Sequence, residues 1–262
     1  MNLPKKSLGQ HWLNDKSSLI AMCNAGMLKV NDVVLEIGPG PGALTKLLVE
    51  RAKQVYAVEF DRVLAESLPS KVDANNLVVI NQDFLKFDLN TLPSIYKVVA
   101  NIPYYLSGEI VRVLCESANP PKLAALLVQK EVAQRMSALP GDLSILGVTT
   151  QMYYQVDALE IVKKELFWPI PKVDSQIIRL TKRPYPLFEG IDKQSLFRVV
   201  KAGFSNKRKT LINSLAGLYH DKSEIQQIVL EMELLPTVRA QELTLQQWIL
   251  LCKSLYSPTT IT

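Results

Sequence analysis

Several polar side chains in the first hundred residues of this 262-residue chain stand where short apolar segments end. Glu59, Asp83 and Asn101 each close or follow such a segment, and Glu36 precedes a glycine-rich loop. An acid about twenty residues beyond a glycine loop can accept hydrogen bonds from both hydroxyls of a ribose. These residues predict a crevice for a nucleoside-like ligand, provided that the segments are neighbouring strands. The alternative for Glu59 and Asp83 is a role as helix caps or as solvated strand ends.

The loop EIGPGPG, residues 36–42, narrows the choice of ligand. A dinucleotide-binding loop reads G-x-G-x-x-G and a phosphate loop needs Gly-Lys followed by Ser or Thr, and neither pattern is present. The acid Glu36 beside the loop suits a ligand with a positive centre and an ammonium group. S-adenosylmethionine carries a sulfonium and an amino acid head. The E-x-G-x-G-x-G pattern resembles motif I of the Rossmann-like methyltransferases, so we expect Gly38 and Gly40 to approach this cofactor.

The segment NIPY, residues 101–104, contains no acid, base, nucleophile or metal ligand. Such a segment suits the exocyclic amine of adenine, whose lone pair is delocalised into the ring. Two acceptors on the amine hydrogens would pull the nitrogen toward tetrahedral geometry. The Asn101 side-chain oxygen and the carbonyl of Ile102 or Pro103 are the candidates, because proline fixes the turn and adds no donor. Tyr104 would stack on the extruded base. The alternative is a polar turn after a buried strand.

Apolar runs that alternate with helical patterns predict the sheet that positions these residues. The runs are VVLEIG (33–38), VYAVEF (55–60), LVVIN (77–81), VVAN (98–101) and AALLVQ (124–129). Near-continuous apolar strands are typical of a parallel sheet covered on both faces. Leucines at helical spacing in residues 43–53 predict an intervening helix. The fold class is therefore α/β, a Rossmann-like doubly wound sheet. The alternating segment SQIIRLTKR (175–183) predicts a late antiparallel strand at its far side.

A change of pattern follows RPYPLFEG (183–190), which has two prolines and a glycine and is the best linker candidate. Beyond it, FRVVKAGF, TLINSLAGL, SEIQQIVLEMEL and TLQQWILLCKSLY are amphipathic at helical spacing. Ser223 with Gln226, and Thr244 with Gln247, fit the capping-box pattern of helix starts. We therefore expect a Rossmann-like domain in residues 1–184 and a small all-helical domain in residues 185–262.

Composition sets limits on partners and location. The net charge of +5 and the pI of about 9.0 allow a polyanionic partner without requiring one. No apolar run is long enough for a membrane span and no apolar signal core follows the start, which predicts a cytoplasmic protein. The three cysteines match no metal-ligand spacing and the chain has two histidines, so we expect reduced thiols and no metal site.

From Lys5 to Tyr256 the chain resembles the ribosomal RNA adenine dimethyltransferase family, specifically its bacterial small-subunit members. KSLGQHWLND is similar to the family's K-x-x-G-Q-N/H-F-L-N-D motif, EIGPGPGALT to its cofactor loop, and NIPYYLSG to its N-[LI]-P-Y motif. FWPIPKVDS (167–175) matches F-x-P-x-PKVDS, and FSNKRKTLINSL and VRAQELT resemble segments of its helical domain. Trp12 replaces the usual Phe, and His11 and Tyr105 stand where Asn is common.

The resemblance implies dimethylation of two adjacent adenines in the 3′-terminal hairpin of 16S rRNA within the 30S subunit. It implies S-adenosylmethionine as cofactor, a role in subunit biogenesis and a monomeric enzyme. It assigns cofactor contacts to His11, Leu13, Gly38, Glu59, Asp83 and Asn101. It also places Phe167 opposite Tyr104, so that the two rings sandwich the adenine. For a lone Phe, the default interpretation would be a core residue.

Two other functions remain open. One is a dimethylase of large-subunit RNA that confers antibiotic resistance, with the same fold and chemistry. The other is an assembly or RNA-binding factor that keeps the fold without catalysis. RNA contacts are the least visible feature in the sequence. The cluster Lys207–Lys209 is the first candidate, and a solvated face is its alternative. Further candidates are Lys163, Lys164, Lys172 and Lys182.

Overall fold

The computed structural model describes residues 4–5, 9–216 and 221–256, and the chain divides into two compact units. Unit 1 comprises residues 1–134 and 155–182, and unit 2 comprises residues 135–154 and 183–262. These units differ from the predicted division into 1–184 and 185–262 mainly in residues 135–154. That segment belongs with the helices because its Val148 and Met152 are fully buried in the helical core.

Nine strands lie within the described residues. They are β1 (Trp12–Leu13), β2 (Val33–Ile37), β3 (Gln54–Glu59), β4 (Leu77–Asn81), β5 (Lys97–Asn101), β6 (Leu123–Gln129), β7 (Tyr154–Val162), β8 (Phe167–Trp168) and β9 (Ser175–Lys182). Seven form one sheet in the order β4-β3-β2-β5-β6-β9-β7, and β1 pairs with β8 in a separate antiparallel ribbon. The strands β2 to β6 pair in parallel, and β9 runs antiparallel to β6. The predicted parallel strands and the late antiparallel strand are therefore confirmed.

The strand order gives the sheet a switch point. From β2 the chain moves through β3 to β4 on one side, and then crosses to β5 and β6 on the other. In open parallel sheets, ligands bind beyond the carboxyl ends of the strands at such a point. The helices of this region are α1 (Lys16–Ala25), α2 (Ala43–Val49), α3 (Arg62–Val72), α4 (Ser107–Glu116) and α5 (Lys130–Met136).

Apolar side chains on both faces bury the central strands. Val34, Leu35, Val98 and Val99 have no exposed surface, as expected for near-continuous apolar runs. Leu44 and Leu48 of α2 are buried in the same core as Val99, which confirms the helix face predicted from their spacing. This packing fixes the strand ends, and with them the side chains that follow each strand.

Unit 2 contains α6 (Ile145–Tyr153), α7 (Lys193–Gly203), α8 (Leu211–Leu215), α9 (Lys222–Glu231) and α10 (Leu245–Tyr256). Fully buried Trp248 belongs to its core. The capping box at Thr244 and Gln247 is confirmed by reciprocal hydrogen bonds of 3.1 and 2.8 Å. The one expected at Ser223 is wrong, because Asp221 is the cap and accepts from the Ser223 N–H at 2.8 Å.

Some features bear on metals, thiols and membranes. The three cysteines are buried. Within the described residues there is no group of three or more His, Cys, Asp or Glu side chains that could hold a metal ion. No helix in the described part of the chain is long and apolar enough to cross a membrane.

Candidate active site

A cavity of about 230 Å³ opens at the carboxyl ends of β2, β3, β4 and β5 in unit 1. It is lined by the glycine loop, the strand ends and the segment that contains β1. Nearly all site residues predicted from the sequence lie on its wall. They are His11, Leu13, Gly38, Gly40, Glu59, Asp83, Asn101, Pro103 and Tyr104. The first part of the N-terminal motif, residues 6–8, lies outside the described residues.

The glycine loop needs the backbone freedom of glycine. Gly38, Gly40 and Gly42 have φ angles of +67°, +56° and +92°, in a region that other residues rarely adopt. A Cβ on Gly42 would also lie 2.6 Å from the Leu68 side chain, so the loop packs closely against α3. At Gly38 and Gly40 the loop therefore lines the cavity with backbone alone, and Gly42 connects it to the start of α2.

The carboxylate of Glu59 lies beside this loop at the end of β3. The Gly40 N–H donates to Glu59 Oε2 at 3.0 Å, and the Asp61 N–H donates to Oε1 at 2.8 Å. Glu59 is buried, and burial raises the pKa of its carboxyl group, a shift that the two backbone donors oppose. The side chain thus lies at the cavity wall and holds the glycine loop through the Gly40 N–H.

Asp83 is a helix cap, which was the alternative role that the sequence allowed for it. Its Oδ1 accepts from the Leu85 N–H at 3.0 Å and caps a short 3-10 turn at Phe84–Lys86. It also lines the cavity, so the capping role and a ligand contact are compatible. A carboxylate has several acceptor positions, and one backbone donor leaves others available.

Glu36 is more deeply buried than the sequence indicated. It is 1% exposed, and its Oε2 has no hydrogen-bond partner among the described residues. Burial, with a smaller contribution from the nearby Glu59 carboxylate, raises the pKa of Glu36 to about 8. A buried carboxyl oxygen without a partner is costly unless a ligand supplies a donor. Glu36 therefore fits the cationic ligand inferred from the loop.

Asn101, at the end of β5, is held in one orientation. Its Nδ2 donates to the His11 carbonyl oxygen at 3.2 Å. Because a carbonyl only accepts hydrogen bonds, the amide nitrogen must face it, and Oδ1 is left to accept from another donor. The backbone that follows is also set: the Leu106 N–H donates to the Pro103 carbonyl at 3.0 Å. The Pro103 carbonyl thus already accepts a hydrogen bond. This favours the Ile102 carbonyl as the second acceptor for the adenine amine.

Tyr104 is positioned by two contacts. Its hydroxyl lies 2.6 Å from the Oγ of Ser175, which is fully buried at the start of β9. Its ring stacks on that of His11, with centroids 5.5 Å apart and an interplanar angle of 17°. His11 Nδ1 donates to the Pro169 carbonyl at 2.7 Å. Sequence reasoning missed the role of Ser175, although it lies in the quoted PKVDS motif.

Phe167 does not line the cavity, whereas Tyr104 does. Phe167 is 2% exposed and belongs to the apolar core of unit 1. Its strand β8 pairs with β1, where Phe167 faces Leu13, and the ring stacked on Tyr104 is that of His11. The arrangement matches the core interpretation of a lone Phe, so a base-stacking role for Phe167 stays a prediction that requires it to leave the core.

Sequence comparisons with known proteins show to which family the chain is similar. A model of the family described as ribosomal RNA adenine dimethylase matches residues 1–256. A Rippkaea orientalis protein named ribosomal RNA small subunit methyltransferase A is 39% identical over 265 residues, which cover 95% of this chain and 97% of that protein.

Two solved structures resemble the chain over most of its length. The 23S rRNA methyltransferase ErmE has a TM-score of 0.74 and 29% identity, and covers 94% of this chain and 100% of its own. A Plasmodium falciparum dimethyladenosine transferase has a TM-score of 0.77 and 25% identity, and covers 91% and 95%. Since the family model spans nearly all residues and the relatives match nearly from end to end, this chain belongs to the ribosomal RNA adenine dimethylase family.

Proposed function

We propose that this protein transfers methyl groups from S-adenosylmethionine to the exocyclic amines of two adjacent adenines in small-subunit ribosomal RNA. The observation that carries the proposal is the fixed amide of Asn101, whose Oδ1 is left to accept from a donor. Curated relatives at 36–39% identity are named ribosomal RNA small subunit methyltransferase A, which supports the choice of RNA.

The residues of the cavity fit the proposed cofactor. Gly38 and Gly40 offer close backbone approach, and the Glu59 carboxylate suits the two ribose hydroxyls. Asp83 retains an acceptor for another donor of the cofactor. The unpartnered oxygen of Glu36 suits the ammonium of its amino acid head. When bound, the cofactor supplies a methyl group on a sulfonium.

The protein's own side chains orient and activate the acceptor amine. In the first transfer, Asn101 Oδ1 and the Ile102 carbonyl would accept the two hydrogens of the unmethylated amine and make its lone pair available; in the second, one of them would accept the single remaining hydrogen. The proton that the amine loses after each transfer would pass to solvent. Tyr104 stacks on the base, and Ser175 fixes the Tyr104 ring through its hydroxyl. Positioning and charge stabilisation therefore supply the rate, without a general base.

On the resemblance, the proposal extends to the 3′-terminal hairpin of 16S rRNA in the 30S subunit, to a role in subunit biogenesis and to a monomeric enzyme. The second candidate, a large-subunit dimethylase, is favoured by one observation, the structural likeness to ErmE at 29% identity. The 39% identity to a small-subunit relative favours the first candidate.

Transfer of tritiated methyl groups to unmethylated 30S subunits, naked 16S RNA and 50S subunits distinguishes these functions. We expect labelling of 30S subunits. Labelling of 50S subunits alone would support the large-subunit enzyme. Tight 30S binding without transfer would support the assembly factor.

Two substitutions at Tyr104 distinguish the contribution of its ring to activity from that of its hydroxyl. We expect Tyr104→Ala to lower kcat/KM by roughly 5- to 150-fold, because base stacking contributes about 1–3 kcal/mol per base. Tyr104→Phe keeps the ring and should retain most of the activity. It should lower the melting temperature, because it leaves the buried Ser175 hydroxyl without this partner.

The double variant Tyr104→Phe with Ser175→Ala is the matched control for this pair. Removing both partners should restore part of the stability lost in the single variant. If Tyr104→Phe were as inactive as Tyr104→Ala, the hydroxyl would be the working group and the stacking role would be wrong.

The basic cluster Lys207–Lys209 lies exposed in the turn before α8. We expect its replacement with three alanines to weaken 30S binding and to reduce the slope of log K against log salt by up to ~0.7–0.9 per lost phosphate contact. Replacement of the exposed Lys46, Lys53 and Lys86 removes the same charge elsewhere and serves as control. Equal slopes for both triple variants would mean that Lys207–Lys209 form only a solvated face.

A further inference from the structure

The indole nitrogen of Trp12 is a buried donor without a partner. Trp12 lines the cavity, and its Nε1 has no hydrogen-bond acceptor among the described residues. It lies against the glycine loop, because a Cβ built on Gly40 would be 3.5 Å from Trp12 Nε1. Buried N–H groups in folded proteins are nearly always paired, so this donor needs an explanation.

The position of the Trp12 ring is well determined by its neighbours. Trp12 pairs with Trp168 in the ribbon of β1 and β8, and the next residue, Leu13, is buried in the core of unit 1. The rings of Trp12 and Trp168 also contact each other, with centroids 5.8 Å apart. The indole is therefore held at the cavity wall by the fold and has little freedom to seek an acceptor elsewhere.

Packing alone does not require this nitrogen. A phenylalanine would fill a ring-shaped space at Trp12 without bringing a polar atom into it. Trp248 shows the contrasting case: its Nε1 also has no partner among the described residues, but it lies in the helical core of unit 2 and does not line this cavity. Of these two tryptophans, only Trp12 belongs to the cavity wall.

A second residue of the same cavity, Glu36, has an unpaired acceptor where Trp12 has an unpaired donor. Glu36 Oε2, on the strand that leads into the glycine loop, needs a donor, whereas Trp12 Nε1 needs an acceptor. An α-amino acid head offers both on one carbon, an ammonium that donates and a carboxylate that accepts. Hydrogen bonds to charged groups are among the strongest in proteins.

We propose that the Trp12 indole N–H donates a hydrogen bond to the α-carboxylate of the bound cofactor, opposite the ammonium that faces Glu36. This inference rests on the proposed function, since it takes S-adenosylmethionine as the ligand of the cavity. It makes Trp12 a cofactor-binding residue in its own right, through an atom that Phe, the usual residue of the family motif, lacks.

Calorimetry with two ligands and two variants tests this assignment. S-adenosylmethionine and decarboxylated S-adenosylmethionine differ only in the carboxylate. Trp12→Phe keeps an aromatic ring and should weaken binding of S-adenosylmethionine by about tenfold or more. It should leave the affinity for the decarboxylated ligand nearly unchanged. Trp248→Phe, which removes an unpaired indole nitrogen that is not part of the cavity wall, should alter neither affinity.

The indole N–H resonance of Trp12 in an ¹⁵N-labelled protein gives a readout independent of affinity. It should move downfield when S-adenosylmethionine binds, and it should not do so with the decarboxylated ligand. A Trp12→Phe variant that binds both ligands as wild type does, or that loses affinity for both equally, would overturn the inference. Failure of the wild-type protein to bind S-adenosylmethionine would instead overturn the proposed function, and the inference with it.

Discussion

Replacing Asn101 with alanine is expected to lower the single-turnover rate of methyl transfer by about 10²-fold or more, with cofactor and 30S subunits saturating. This is the scale observed when one hydrogen bond made in the transition state is lost. The amide is held through Nδ2 by the His11 carbonyl, so Oδ1 is set to accept one hydrogen of the adenine amine. Affinity for 30S subunits should not change. A rate within a few-fold of wild type would exclude this role for Asn101.

The same account predicts how the rate depends on pH. If Asn101 only accepts a hydrogen bond, the saturated rate should be nearly flat between about pH 6.5 and 9, whereas a general base would impose a limb. Saturation matters because burial raises the pKa of Glu36 to about 8. Glu36 and the α-amino group of the cofactor, whose ordinary pKa is also about 8, both lose protons in this range, so cofactor affinity should vary with pH whereas the saturated rate should not.

His11 is the control for this profile, as the only histidine among the described residues that line the cavity. His11→Asn removes the imidazole and keeps the backbone carbonyl to which Asn101 donates. Any limb that the imidazole causes should disappear in this variant. A steep limb that persists at saturating cofactor would indicate a base outside the proposed set, and the mechanism without a base would then be wrong.

Replacing Glu59 with alanine is expected to weaken S-adenosylmethionine binding by about tenfold or more, measured by calorimetry. Hydrogen bonds between a carboxylate and two ribose hydroxyls are charge-assisted and contribute roughly 1.5–3 kcal/mol each. The variant also removes the acceptor that holds the Gly40 N–H, so the loop loses support at the same time.

Glu59→Gln separates these two effects. The amide retains one acceptor oxygen for the backbone and loses the charge, so an intermediate affinity is expected. Melting temperatures of both variants report whether the fold is intact. Unchanged affinity in a folded Glu59→Ala protein would show that the ligand does not contact this carboxylate.

Most of the sheet could be predicted because its strands are near-continuously apolar. The runs at 33–38, 55–60, 77–81, 98–101 and 124–129 correspond to β2 to β6 within one residue at every end. The strand β7 was missed since it lies at the sheet edge, where partly exposed residues interrupt the apolar pattern. The packing of residues 135–154 with the helices was also missed, because no local pattern encodes which core a helix joins.

The residues of the site that could be predicted are those at the ends of strands, because the local apolar pattern determines where each strand ends. Gly38, Glu59, Asp83 and Asn101 end or follow strands whose parallel order brings them to one edge of the sheet. Contacts between distant segments were not predictable, such as that of Tyr104 with Ser175, 71 positions apart. For Phe167, the pairing of β8 with β1 determined its burial, and nothing in the FWPIPKVDS segment indicates that pairing.

Nucleoside analysis of the methylated RNA tests the central claim most directly. Unmethylated 30S subunits are incubated with the protein and S-adenosylmethionine. Part of the RNA is digested to nucleosides, which are quantified by mass spectrometry, and part to oligonucleotides, whose fragmentation locates the modified positions. We expect N6,N6-dimethyladenosine at two adjacent adenines of the 3′-terminal hairpin, and its loss with the Asn101→Ala variant. N6-methyladenosine as the only end product, methylation of another base, or unmodified RNA in the presence of bound cofactor would contradict the proposed function.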